Sequence, residues 1–215
     1  MVHFKVGVRV SRDPFEDRSY NKTCIRYERI DMLCDKDIIE IIVPTSDQKK
    51  VIENAKKAEI GGVSRIRSAA DRKNKLSEDQ LVGQISTYAG SVYLTGNPDG
   101  YWKARDIANA NPHKGDGGVD IIGLDNVDIK GSLMRYSKDP LEYRLLVRPK
   151  ERHQGWIYVL AMVPKSRPYT AHLVGWAKDK DLPKEVYDGS ISSLKGAYCI
   201  NGRNLRAMNK LQGVV

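Results

Sequence analysis

Short runs of alternating or continuous apolar residues dominate this chain, and two stretches carry apolar residues at helical spacing. β-Branched and aromatic runs bounded by Gly, Pro, Asn or Asp are typical of strands. We therefore predict strands over residues 2–10, 22–30, 37–43, 119–124, 127–133, 143–147, 156–163 and 171–176. The remaining patterns predict helices over residues 47–59 and 81–94, with a short helical start at 181–185. This mixture predicts an α/β fold with a mixed α+β sheet.

The apolar runs over residues 119–124 and 127–133 are separated by two residues, which predicts a β-hairpin. Because side chains alternate between the two faces of a strand, the length of the loop decides which side chains meet. A two-residue loop would send Asp120 to the face opposite Asp128. A three-residue loop would place Asp120, Asp128 and Lys130 on one face. We favour this second register.

Two aspartates on one face of a hairpin predict a metal site. Ionised carboxylates at close range repel each other, so a divalent cation would be needed to hold Asp120 and Asp128 together. Oxygen ligands favour Mg²⁺, with Mn²⁺ as a substitute, and the backbone carbonyl of Ile129 could complete the coordination. Lys130 could then orient an attacking water or stabilise developing charge. The alternative is a solvated strand face with an ordinary ion pair.

Asp120 and the later run Asp-Ile-Lys-Gly-Ser, from Asp128 to Ser132, resemble the core of the PD-(D/E)XK nuclease superfamily. In that family the first Asp opens the second core strand and the Asp/Glu-x-Lys lies on the third. Val119 stands here in place of the usual proline. The resemblance implies a restriction-endonuclease-like core of mixed sheet flanked by helices, as in phage and restriction-type members. It also implies Mg²⁺-dependent hydrolysis of DNA, and softer likenesses extend it over about residues 76–211.

The same family usually adds a metal-binding Glu on a helix before these strands. In the predicted helix 81–94, Ser86 and Thr87 occupy the expected Gly-Glu position. Glu78, about two turns upstream, is then the candidate acid, and Gln84 is an amide alternative. The alternative role for Glu78 is an acid of the first helical turn, favoured by the helix dipole.

An excess of basic residues points to a polyanionic partner. The chain has 36 Lys and Arg against 27 Asp and Glu, for a net charge of +9. Phosphate contacts release counterions, so a basic surface favours nucleic acid. DNA is the expected partner, although RNA remains open. The candidate nucleic-acid contacts flank the predicted hairpin and are Lys103, Arg105, Lys114, Asp116 and Arg135.

Length and cysteine content limit the organisation of the protein. A chain of 215 residues can form one large or two small domains. We predict a nuclease-like core over 71–215 and an N-terminal α+β extension over 1–70, either as a separate module for recognition or dimerisation or as extra strands on the core sheet. Three cysteines without a Cys-x-x-Cys pair favour a reducing, cytoplasmic setting, in a phage or prokaryotic context, and disfavour zinc. No apolar run reaches transmembrane length.

These patterns lead to the hypothesis that the protein is a Mg²⁺-dependent DNA nuclease, more specifically an endonuclease that cuts within a DNA strand. Asp120, Asp128 and Lys130 would carry the reaction, and cleavage of both strands would favour a homodimer. A nucleic-acid-binding protein that has lost the chemistry is the first alternative, because the helix Glu is missing. A protein-binding scaffold is a second alternative and would require the basic residues to be dispersed in space.

Overall fold

A four-stranded mixed sheet lies at the centre of the computed structural model, which describes residues 37–61, 69–110, 119–189 and 194–215. Its strands are β1 (Ile39–Ile42), β2 (Val127–Met134), β4 (Ile157–Pro164) and β5 (Thr170–Lys178), in the order β1-β5-β4-β2. β2 runs parallel to β4, whereas β5 is antiparallel to both of its neighbours. β3 (Arg144–Val147) and β6 (Tyr198–Asn201) form a separate antiparallel pair. The predicted α/β class with a mixed sheet is therefore confirmed.

Three helices belong to the described part of the chain: α1 (Thr45–Gly61), α2 (Ala69–Thr95) and α3 (Asp99–Ala110). α2 runs antiparallel to β2, because Ser86 lies beside Gly131 and Gly90 lies beside Ile129 further along the helix. A side chain at Gly131 would collide with Ser86, so glycine permits the close approach of helix and strand. The helix therefore covers the face of β2 that presents its odd-numbered residues.

Two hydrophobic clusters lie on the two faces of the sheet. The first includes Val127, Ile129 and Leu133 of β2 and packs against α2. The second includes Tyr158 and Leu160 of β4 and extends to the buried residues of β3. β4 contributes to both clusters, and its residues from Ile157 to Val163 are all buried. Burial on both faces explains why this strand is a continuous apolar run.

The predicted hairpin is wrong. Residues 119–126 form turns rather than a strand, and β2 pairs instead with β4 along its whole length. Ile121 is fully buried and packs beside Gly90 and Gly100, so this residue fills the core next to the helices. The amide of Leu124 donates to the Ile121 carbonyl at 3.0 Å, and Gly123 adopts a φ of +93°. Burial of Ile121 in the core and the positive φ of Gly123 therefore favour turns over the strand predicted at residues 119–124.

The other predicted elements compare as follows. The strands predicted over 37–43, 143–147, 156–163 and 171–176 correspond to β1, β3, β4 and β5, and the two predicted helices correspond to α1 and α2. α3 and β6 were not predicted, and the helical start at 181–185 is replaced by a 3-10 turn at Asp179–Asp181. β1 extends the sheet through β5, which was one of the two options for the N-terminal region. The strands predicted at 2–10 and 22–30 lie outside the described residues.

Candidate functional site

Asp128 and Lys130 lie two residues apart on β2 and point to the face opposite α2. Their positions pair with Tyr158 and Leu160 of β4, whose side chains belong to the second hydrophobic cluster. The Lys130 ammonium contacts Asp128 Oδ2 at 2.8 Å. The Lys130 side chain is 21% exposed and the Asp128 side chain is 16% exposed, so this ion pair is largely desolvated. The predicted shared face of Asp128 and Lys130 is therefore present.

Glu151 completes the contacts of Lys130, and the sequence patterns missed it. Its Oε2 accepts a hydrogen bond from Lys130 Nζ at 3.0 Å, so the ammonium lies between two carboxylates. Glu151 ends a 3-10 turn, Pro149–Glu151, that precedes β4. Tyr158 fixes this turn, because its hydroxyl donates to the Glu151 carbonyl at 3.0 Å and accepts from the His153 amide at 2.7 Å. The only local sequence feature that pointed to this turn was the proline at its start, and it did not indicate a contact between Glu151 and Lys130.

Asp120 reaches the same region without the predicted hairpin. Its Oδ2 accepts a hydrogen bond from the backbone amide of Ile129 at 2.8 Å. β2 is an edge strand of the sheet, and Asp120 thus occupies a hydrogen-bonding position that another strand would otherwise take. This bond holds the turn of residues 119–126 against β2. Asp120 therefore lies beside the Asp128–Lys130 pair through its contact with the residue between them.

Burial and charge act against each other in this cluster. Burial raises the pKa of Asp128, and the nearby Glu151 carboxylate adds to the rise against the opposing effect of Lys130. Burial alone would lower the pKa of Lys130, but Asp128 and Glu151 outweigh it and raise this pKa. Burial would also raise the pKa of Glu151, yet its hydrogen bond and charge contact with Lys130 lower it. Lys130 is therefore a stable ammonium.

A cleft of about 950 Å³ opens above these residues. Asp120, Asp128, Lys130 and Glu151 line it, together with Ser132 and the backbone of Ile129 and Gly131. The rest of its lining includes four cations, Arg144, Arg148, Lys150 and Lys195, and the uncharged residues Leu146, Pro149, Leu160, Gly196 and Ala197. Three carboxylates and the Lys130 ammonium thus share the cleft with four further positive side chains. Positive side chains in a cleft favour an anionic ligand.

Several predicted site residues do not reach this cleft. Glu78 pairs with Arg135 at 3.1 Å, and Arg135 directly follows β2, six residues or about 20 Å along the chain from Ile129. Glu78 is therefore far from Asp128, and the prediction of Glu78 as a metal ligand has no support in the geometry. Gln84 is buried and accepts a hydrogen bond from Tyr101 at 2.9 Å.

The predicted nucleic-acid contacts also separate from the site. Arg105 is buried on α3, so it cannot serve as a surface phosphate contact as we predicted. Lys103 is exposed on the same helix and does not line the cleft, and the Arg135 guanidinium is engaged by Glu78 and Asp79. Lys114 and Asp116 lie outside the described residues.

The donor atoms of the cleft are carboxylate and carbonyl oxygens, which fit a hard cation such as Mg²⁺. Within residues 37–61, 69–110, 119–189 and 194–215, however, no group of three His, Cys, Asp or Glu side chains converges on one point. Mg²⁺ commonly takes one or two carboxylates and completes its shell with water and substrate phosphate oxygens. Asp120 and Asp128 therefore fit such a partly open site.

No protein-family model, no curated protein and no solved structure matches this chain. Among the described helices, none combines the length and the apolar character that crossing a lipid bilayer requires.

Proposed function

We propose that this protein is a Mg²⁺-dependent nuclease that hydrolyses phosphodiester bonds within DNA. The observation that carries the proposal is the position of Lys130. Its ammonium lies between Asp128 and Glu151, beside Asp120, in a cleft whose remaining wall is rich in Arg and Lys. Hydrolysis of a phosphodiester develops negative charge on oxygen, and a fixed, partly desolvated cation stabilises that charge.

Asp128 and Asp120 are the residues that would hold Mg²⁺, with the Ile129 carbonyl as a further oxygen ligand. When bound, the metal supplies Lewis-acid polarisation of the phosphate and a lower pKa for an attached water. Asp120 is oriented for this task by the Ile129 amide at 2.8 Å. Because that amide lies between Asp128 and Lys130 in sequence, one short piece of β2 positions all three functional side chains.

Lys130 acts as a charge stabiliser rather than as a general base. A base must release its proton near neutral pH. The contacts of Lys130 with Asp128 and Glu151 raise its pKa, which favours the protonated form instead. The ammonium can donate to a phosphate oxygen or to a water while remaining charged. In this proposal Glu151 positions Lys130 and need not touch the substrate.

The test is nicking of supercoiled plasmid DNA by purified protein in Mg²⁺ and in EDTA. We expect cleavage by the wild type in Mg²⁺ only, and loss of about a hundredfold or more in Asp128→Asn and Lys130→Met. Glu78→Gln is the matched control and should cleave at the wild-type rate, because Glu78 lies near the far end of β2. Equal activity in all four proteins would reject this site.

A nucleic-acid-binding protein without cleavage is the second candidate. The observation that favours it is Thr87, a buried residue that stands where the family carries its helix Glu. Thr87 carries no carboxylate, so the chain offers no acid at that position. Salt-dependent DNA binding by the wild type, with no cleavage in Mg²⁺ or Mn²⁺ and no heat of metal binding in calorimetry, would favour this candidate.

A further inference from the structure

Three cations on the wall of the cleft form no salt bridge in the described part of the chain, although the charge of Arg148 acts on Glu151, which Lys130 already pairs. Arg144, Arg148 and Lys150 form no salt bridge there, whereas Lys130 is paired twice. Lys195, on the same wall, pairs with Asp188 at 3.1 Å. Positive charges that line one wall of a cleft without a salt bridge repel one another, and an anionic ligand relieves that repulsion.

The strand β3 arranges these cations in a row. Leu145 and Val147 are fully buried, so the alternate residues Arg144 and Leu146 point into the cleft, and Arg148 continues the same face just beyond the strand. Arg148 lies four positions after Arg144 in extended chain, a distance of about 13 Å between their Cα atoms. Lys150 is the middle residue of the turn that ends at Glu151. The row thus leads along the cleft to the partner of Lys130.

A row of cations with this spacing matches the backbone of a nucleic-acid strand. Successive phosphates of one strand of B-DNA rise about 3.4 Å along the axis, so about 13 Å spans several phosphates. Leu146, between the two arginines, has no polar group and cannot read a base by hydrogen bonding. Arg and Lys contacts to phosphate carry affinity and position, whereas base contacts carry sequence preference.

We propose that Arg144, Arg148 and Lys150, here called the β3 wall, bind the phosphates of one nucleic-acid strand without regard to sequence. The β3 wall directs that strand along the cleft, so that a phosphate beyond Lys150 lies beside Lys130 and Asp128. This inference deepens the proposed nuclease function and rests on it. It also moves the nucleic-acid contact from α3 and Arg135, where the sequence suggested it, to β3.

The test measures binding apart from cleavage. Fluorescence anisotropy of a labelled 20-nucleotide DNA, single-stranded and as a duplex, is recorded in EDTA over a range of salt concentrations. The β3 wall variant R144A/R148A/K150A should bind both forms about tenfold or more weakly than the wild type. Its slope of log K against log salt should fall by about 2 to 3, because each lost phosphate contact removes about 0.7 to 0.9.

The matched control is K56A/K57A/K165A, which removes the same charge from exposed positions away from the cleft. We expect it to bind close to the wild type, and an equal loss in both triple variants would overturn the β3 wall. If the first triple variant does not fold by circular dichroism, R148A and K150A replace it, because both side chains are exposed.

Lys130→Met separates this inference from the proposed function. We expect this variant to lose cleavage, while its DNA binding in EDTA weakens much less than that of R144A/R148A/K150A, because it removes one cation rather than three. A wild type that never cleaves, but whose binding depends on the β3 wall, would reject the nuclease and keep the wall. Cleavage and binding that both survive in R144A/R148A/K150A would reject the wall and keep the nuclease. Stronger binding of a random-sequence pool to the wall variant than to the wild type would also overturn the proposal.

Discussion

At the scale of single residues, Lys130 decides what chemistry this cleft can carry. A lysine with one carboxylate partner at the surface contributes little to stability, because water screens the pair. Lys130 instead has two partners, and both Asp128 and Glu151 are largely shielded from solvent. The ammonium is thereby held in one position and one protonation state. These are the requirements for a group that stabilises charge on a reacting phosphate.

Neutralising Glu151 should shift the pH dependence of cleavage. Glu151→Gln removes a carboxylate that raises the pKa of Lys130, so this pKa should fall. We expect cleavage to drop by about tenfold at neutral pH, and its alkaline limb to move to lower pH. The measurement is the initial rate of plasmid nicking between pH 6 and pH 10, values chosen to bracket lysine titration. Glu142→Gln, exposed on a neighbouring turn, is the control.

Asp128 should set the acid limit of activity. Burial raises its pKa, so its carboxylate takes up a proton at a higher pH than an ordinary aspartate. Metal binds the ionised form, and cleavage should therefore decline as pH falls through this raised pKa. A higher Mg²⁺ concentration competes with the proton and should move the acid limb to lower pH. An acid limb that is the same at every Mg²⁺ concentration would contradict the assignment.

At the scale of elements, the contact between α2 and β2 positions the functional strand. Gly90 of α2 lies against Ile129, the residue between Asp128 and Lys130. Ser86 lies against Gly131 one turn earlier, on the face of β2 that points away from the carboxylates. This close contact of α2 with Ile129 and Gly131 therefore fixes the segment of β2 that carries Asp128 and Lys130.

Two glycines of α2 offer a matched test of this contact. Both Gly83→Ala and Gly90→Ala should gain about 0.5–1 kcal/mol of helix propensity. A Cβ at Gly83 meets nothing within 4 Å, whereas one at Gly90 would lie 2.9 Å from the Ile129 side chain. We expect Gly90→Ala to be about 1–3 kcal/mol less stable than Gly83→Ala in denaturant unfolding. Ile129→Val in the Gly90→Ala background should recover part of the difference, and equal stabilities would argue against close packing.

At the scale of the whole molecule, five of the 36 Lys and Arg side chains line one cleft. All described residues belong to one compact unit, Asp31–Val215, and the acidic group and the β3 wall line the same cleft within it. The nucleic-acid partner that we propose depends on this shared cleft rather than on the net charge of the chain. Under the proposed function, a cleft with one set of Asp128, Lys130 and Glu151 cuts one strand at a time. Cutting both strands of a duplex together would need two copies of the chain.

Plasmid cleavage should show this single-strand character. At limiting protein concentration we expect nicked circles to accumulate before linear DNA appears. If the homodimer forms, linear DNA should rise with protein concentration in parallel with the dimer fraction in analytical ultracentrifugation. A protein that sediments as a monomer and yet forms linear product without a nicked intermediate would show that one chain can cut both strands, contrary to this prediction.

The sequence by itself determined the strands and helices with strong patterns and the shared face of Asp128 and Lys130. That face follows from the period of two in any strand, whatever the strand pairs with. β4 was predictable because burial on both faces leaves a continuous apolar run, and α2 was predictable from its apolar spacing. These properties depend on residues close together in the chain.

Only the tertiary structure decided the partner of β2 and the composition of the cleft. Residues 119–126 carry a strand pattern, but burial of Ile121 between helices stabilises turns there, and Asp120 reaches Ile129 from a loop. Glu151 meets Lys130 because β2 and β4 are parallel neighbours, a pairing between residues far apart in sequence. A local sequence pattern indicates the period of a segment, whereas long-range packing determines which segment it pairs with. The residues of this site come together through that long-range packing.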